Sequence, residues 1–190
     1  MSQTEITLLL DGAPVQHARR EPYWYEGHVL DIIVDDFHFE LGAASGDGYN
    51  CLIDTLRLKL NEVRGAKIPE GCVSRVRELL EDKHFNSSTH IVPGDFLDLS
   101  NHWEDVVNLL GDEDRVKQHG ALSSDDFEIV CVDMAWVGNG ERLPPGGESR
   151  EKLFIARVNQ NHFVPLRPVG PRRSSSPVLS AMQSASSTRA

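Results

Sequence analysis

No apolar run in this chain reaches the roughly 20 residues needed to cross a bilayer. The residues after Met1 are polar and acidic, unlike the basic-then-apolar opening of a secretory signal. Neither a membrane anchor nor a membrane partner is therefore expected, and a cytoplasmic location is. Cysteine is scarce. Cys51, Cys72 and Cys131 are an odd number with no Cys-x-x-Cys pair, which argues against a disulfide framework or a zinc site and fits a reducing compartment. No metal and no cofactor are expected. The Walker-type phosphate loop is also missing, so Gly46-Asp47-Gly48 is only a weak signal for phosphate binding. Asn86-Ser87-Ser88 matches a glycosylation sequon but, with no signal peptide, is read as chance.

Basic residues are few: 19 Lys and Arg against 29 Asp and Glu, a formal net charge of −10. Residues 171–190 hold three of the arginines and no acid, which leaves 16 against 29, or −13, on the rest of the chain. That charge repels nucleic-acid phosphates and anionic lipid and suits a basic protein or peptide partner, although it also serves solubility.

The chain has 190 residues and 39% hydrophobic content, enough for one domain with a sizeable core, placed at residues 1–170. The Ser-rich segment 171–190 reads as a disordered tail. Strands are expected at 4–10, 28–34 and 37–41, broken by turn residues such as Asp11-Gly12 and Glu26-Gly27. Three helices follow. Leu52, Ile53, Leu56, Leu60 and Val63 recur at helical spacing after Cys51, and Gly65 stands where a C-terminal cap belongs. A second helix is predicted over about 69–81 with Val73, Val76, Leu79 and Leu80 inward. A third is predicted from Asn101, capped by that residue with Glu104 three positions on, and with Trp103, Val106, Val107 and Leu110 on its apolar face. The charged stretch 111–126 reads as helix or loop. Strands return at 127–134, with Cys131 buried, at 153–158 and at 162–166, the last two joined by a turn at 159–161; residues 138–151 read as a long polar loop. Strands, helices, then antiparallel strands define an α+β class, with helices packed on a small, mainly antiparallel sheet.

A cysteine such as Cys51 is often just a small buried hydrophobe. Here it follows a turn marked by Asp47 and Gly48 and opens a helix. Helix N-terminal amides favour a thiolate, and amides of the preceding turn can face a developing oxyanion. A nucleophilic thiolate also needs a base, and the chain has eight histidines: His17, His28, His38, His84, His90, His102, His119 and His162. His162 follows a turn at the start of the last strand, which would hold its ring in a fixed direction. His102 is the next candidate, though its place in the first turn of a surface-type helix predicts a solvent-facing ring.

Taken together, "GDGYNCLIDTL" and, about a hundred residues on, "NQNHFVPL" resemble the ovarian-tumour (OTU) family of cysteine proteases. The resemblance covers roughly residues 40–168 and includes the tryptophan-bearing helix "SNHWEDVVNLL". It implies a papain-like α+β fold and cleavage of ubiquitin or ubiquitin-like modifiers. It also implies Cys51 as nucleophile, His162 as general base and an oxyanion hole from backbone amides around Asp47, Gly48, Tyr49 and Asn50. Two departures stand out. Tyr49 is inserted between Asp-Gly and Asn-Cys, and Val164 occupies the position two after the histidine, where many members carry Asp or Asn. No acid follows His162. Asp47 is then the first choice for a third catalytic member, with Asp35, Asp36 or the adjacent Asn161 as alternatives. The acidic body would attract the basic, glycine-ended ubiquitin tail. Three functions follow: an isopeptidase of the cytoplasm or of a host cytosol, a papain-like deamidase or transferase, and an inactive OTU-like ubiquitin-binding module.

Overall fold

The structure, a computed structural model, describes residues 6–10, 13–14, 30–45, 47–112, 122–134, 140–146, 149–158 and 161–169. The expected tail at 171–190, the turn at 159–160 and most of 111–121 lie outside these residues. The strands are β1 (Ile6–Leu10), β2 (Ala13–Pro14), β3 (Leu30–Val34), β4 (Phe37–Leu41), β5 (Phe127–Asp133), β6 (Gly140–Leu143), β7 (Glu151–Val158) and β8 (His162–Pro168). Between β4 and β5 come α1 (Cys51–Arg64), α2 (Val73–His84) and α3 (Leu99–Gly111).

Helices and sheet are segregated along the chain, an α+β arrangement. The sheet is larger than the expected small one. Among the described residues it has eight strands, in the order β2-β1-β3-β4-β8-β7-β5-β6. One pairing departs from the antiparallel expectation: β5 and β7 run parallel, from Phe127 opposite Glu151 to Asp133 opposite Arg157. The chain makes this possible by inserting β6 on the far side of β5, inside the stretch expected to be loop. β6 reads Gly-Glu-Arg-Leu and has no alternation of its own, so its pairing comes from β5.

Two cores follow from the alternation of side chains along the strands. On one face Phe127, Ile129, Cys131, Leu153, Ile155 and Phe163 meet α1, α2 and α3. On the other, Val130, Val132, Ala156, Val164 and Leu166 meet Ile6, Leu8, Ile32, Val34 and Phe39 from the β1–β4 half. The sheet therefore curls until its first strands cover the back of its last. The closest approach is at Gly140, where a Cβ would run into Ile6 Cδ1 and lie 3.3 Å from the Cys131 carbonyl. Gly140→Val is expected to cost about 1–3 kcal/mol through this overpacking. Urea denaturation reads the loss, and an unchanged midpoint would contradict the close approach. The β3–β4 hairpin turns on Asp35 and Asp36, both at positive φ (51° and 67°), as a two-residue primed turn requires. Asp35 in turn binds Arg142 of β6 at 2.7–2.8 Å and Lys152 of β7 at 2.8 Å. Burial pushes its carboxyl up, but those hydrogen bonds outweigh it and hold Asp35 below the ordinary carboxylate range.

Helix α1 ends as expected, at Gly65 in the left-handed region, with its N–H on Asn61 O. Three details of the other helices differ from expectation. Leu79 is exposed, because the apolar stripe of α2 runs through Val73, Val76, Leu80 and, between them, Arg77. The N-cap of α3 is Asp98, whose carboxylate accepts from Asn101 N at 3.0 Å; Asn101 itself lies inside the helix. His102 is buried and not solvent-facing: its Nδ1 accepts the Asp98 N–H at 3.0 Å and its Nε2 reaches Thr89 O at 3.2 Å. No helix among the described residues is long and apolar enough to cross a membrane.

Candidate active site

The turn before α1 is a single 3-10 turn, Asp47–Tyr49. Gly48 lies at φ 63°, ψ 25° and Tyr49 at φ 62°. The left-handed region suits glycine, but for tyrosine it costs on the order of 1–2 kcal/mol. The Tyr49 ring rests edge-on against Phe96, with centroids 4.8 Å apart, in the segment between α2 and α3. Asn50 takes the N-cap position yet makes no side-chain cap, and its buried Oδ1 has no hydrogen-bond partner among the described residues. Its N–H is bonded to Asp47 O at 3.3 Å, so this turn amide is engaged in its own loop rather than presented to a substrate.

Cys51 opens α1 and is buried. Its Sγ–H donates to Asn161 O at 3.5 Å, across 110 residues of sequence. Burial pushes the thiol above its ordinary value. The backbone N–H groups of Phe163, Leu52 and Cys51 itself, and then the Arg77 guanidinium, pull it back without cancelling that rise. The resting group is therefore a thiol, with donors already converging on the sulfur. Cys131 is pushed further, up to about 12, by near-complete burial in β5. In site-resolved mass spectrometry, alkylation of Cys51 by iodoacetamide should rise with pH through a midpoint above that of an ordinary thiol, with Cys131 unmodified in the folded protein. A midpoint below the ordinary value would mean a preformed thiolate and contradict this account.

His162 is the first residue of β8, half-buried, and burial lowers its pKa from the ordinary imidazole value. It is neutral at pH 7. The thiol meets the backbone on both sides of His162, at Asn161 O and the Phe163 N–H, but not its ring. Among the described residues the imidazole has no hydrogen-bond partner. Thus the two motifs come together in space, while the Cys51–His162 hydrogen bond is not made in this resting arrangement. The Asp47 carboxylate is exposed and makes no hydrogen bond to His162. Asp35 is committed to Arg142 and Lys152, and Asp36 is an exposed turn residue. Asn161 is exposed and engages the thiol through its carbonyl.

Arg77 is the residue that sequence reasoning did not single out. It is buried on α2, pairs with Glu81, and holds Val92 O and Asp95 O at 3.3 and 2.8 Å. It thereby fixes the segment that carries Phe96 against Tyr49 and adds positive potential near the thiol. The available signal was an arginine in the apolar stripe of a helix. Among the described residues no group of three or more His, Cys, Asp or Glu could hold a metal ion. Comparison with protein-family models, curated proteins and solved structures finds no match for this chain.

Proposed function

We propose that the protein is a cysteine-dependent isopeptidase of the OTU type, removing ubiquitin or a ubiquitin-like modifier from proteins. One observation carries the reading. The Cys51 thiol at the N-terminus of α1 lies against the backbone of Asn161 and Phe163, so two motif halves distant in sequence form one site around His162. In the reaction the His162 ring turns to the thiol and takes its proton. The thiolate then attacks the terminal glycine carbonyl, and the oxyanion draws on amides at the helix start. The imidazolium returns the proton to the leaving amine, giving a thioester. Water, deprotonated by His162, attacks that thioester and releases the carboxylate and the Cys51 thiol.

Ubiquitin carrying a thiol-reactive group at its C-terminus tests the proposal. The expected result is a single covalent adduct at Cys51, lost in Cys51→Ala. Absence of an adduct from folded protein with ubiquitin and with ubiquitin-like modifiers alike would defeat it, and amide-to-acid conversion of glutamine in treated proteins would point instead to a deamidase. The second reading, an inactive ubiquitin-binding module, is favoured by the protonated thiol bonded to a carbonyl and by the absence of a contact that orients the imidazole. In that case modifier binding survives Cys51→Ala and no adduct forms.

A further inference from the structure

One lysine lies inside the apolar side of α1. Lys59 is buried there with Leu52, Leu56 and Leu60, and only 2% of it is exposed. A lysine is almost never buried to that degree unless its ammonium is partnered. Here Nζ donates to Glu62 Oε1 at 2.8 Å, within the same helix, and to Leu166 O at 2.8 Å, in β8. The second bond crosses from the helix that carries Cys51 to the strand that carries His162. Leu166 is also where β8 changes neighbours. Its ladder with β7 covers His162 to Pro165, and its ladder with β4 begins at Leu166.

Helix and strand are thus tied at two places. At one, Cys51 Sγ lies against Asn161 O and the Phe163 N–H. The other is Lys59, which at 1.5 Å per residue lies about 12 Å further along the helix. Leu166, four residues beyond His162, lies about 13 Å further along the strand at roughly 3.3 Å per residue. The two spans match, so the lysine bond fixes how far along β8 the helix is set. We propose that Lys59 is a positioning residue for the Cys51–His162 pair, holding the register of α1 on β8 through Leu166 O. Apolar packing is non-directional and would hold the helix at least as firmly, so what the lysine adds is register rather than strength. A buried polar group does the same between the helices of coiled coils, at a cost in stability. A slip of one helical residue moves the thiol about 1.5 Å, and a misplacement of about 1 Å can slow a reaction about 10²-fold. The role in the reaction rests on the isopeptidase reading of Cys51, whereas the placing of the thiol does not.

Lys59→Met keeps most of the apolar stem and removes the ammonium; Lys59→Gln, whose amide stops one bond short of it, is the second variant. In the folded full-length variants, ubiquitin with a C-terminal thiol-reactive group should label Cys51 about 10- to 100-fold more slowly at saturation, with the half-saturating concentration unchanged. The pH midpoint of Cys51 alkylation by iodoacetamide should also rise, because the thiolate loses the Phe163 N–H. Glu62→Gln leaves the bond to Leu166 O in place and should change neither readout. Lost stability alone moves neither the midpoint of the folded protein nor the maximal rate without the half-saturating concentration. An unchanged midpoint in the folded variants, an equal loss in Glu62→Gln, or failure of both Lys59 variants to fold would overturn the positioning role. A midpoint that rises in Lys59→Met, in a protein that no modifier probe labels even as wild type, would leave the placing of the thiol by Lys59 standing and defeat the isopeptidase reading.

Discussion

His162→Gln is expected to slow acylation of Cys51 by a ubiquitin-type substrate by about 10⁴-fold while the protein stays folded. The size of the effect follows from the resting protonation states. Burial raises the Cys51 thiol and lowers the His162 imidazole, so proton and base are both in place at pH 7 but no thiolate stands ready. Without the imidazole the reaction must rely on the small fraction of thiolate that solvent supports. The pH profile gives a sharper readout than the rate alone. In the wild type, activity should be lost as pH falls through a His162 value below the ordinary 6.5, because the protonated ring cannot accept the thiol proton. In the variant that acid limb disappears, and the rate climbs with pH toward the raised thiol value. An unchanged rate and profile would remove His162 from catalysis and require another base for the Cys51 thiol.

Phe127→Ala is expected to destabilise the domain by about 3–5 kcal/mol, measured by urea denaturation. Phe127 opens β5 and is fully buried beneath the helices, with the Arg64 guanidinium 5.1 Å from its ring centroid on the α1 side. Truncation would remove apolar contacts and leave a void between the sheet and the helix that carries Cys51. With total stabilities of about 5–15 kcal/mol for ordinary domains, this is a large share. A loss below about 1 kcal/mol would show that the sheet does not support α1 there. The thiol should lose its position as well, so slower probe labelling of the folded fraction is a second consequence.

Much of this architecture was legible in the sequence, because local periodicity and turn chemistry agree there. The stripe Leu52, Ile53, Leu56, Leu60 and the stop at Gly65 place α1, and alternation places β4 and β5 to within a residue. The misreadings have distinct causes. Arg77 takes a place in the apolar stripe of α2 because Glu81 and two loop carbonyls satisfy it, and Leu79 is left outside. His102 turns inward because Thr89 O and the Asp98 backbone can bond both of its ring nitrogens. β6 has no pattern of its own, and the parallel pairing of β5 with β7 is a long-range choice that no window of sequence contains.

Taken alone, the sequence placed Cys51 at the first turn of an amphipathic helix and His162 at the start of a strand. Both are local matters of turn residues, capping and hydrophobic period. Only the tertiary structure decided that the backbone flanking His162 lies against Cys51, because β8 must pair with both β4 and β7 and also pack beneath α1. Burial then shifts both groups further toward the neutral forms they already favour at pH 7. Desolvation penalises whichever form is charged, and so it leaves a neutral thiol beside a neutral imidazole.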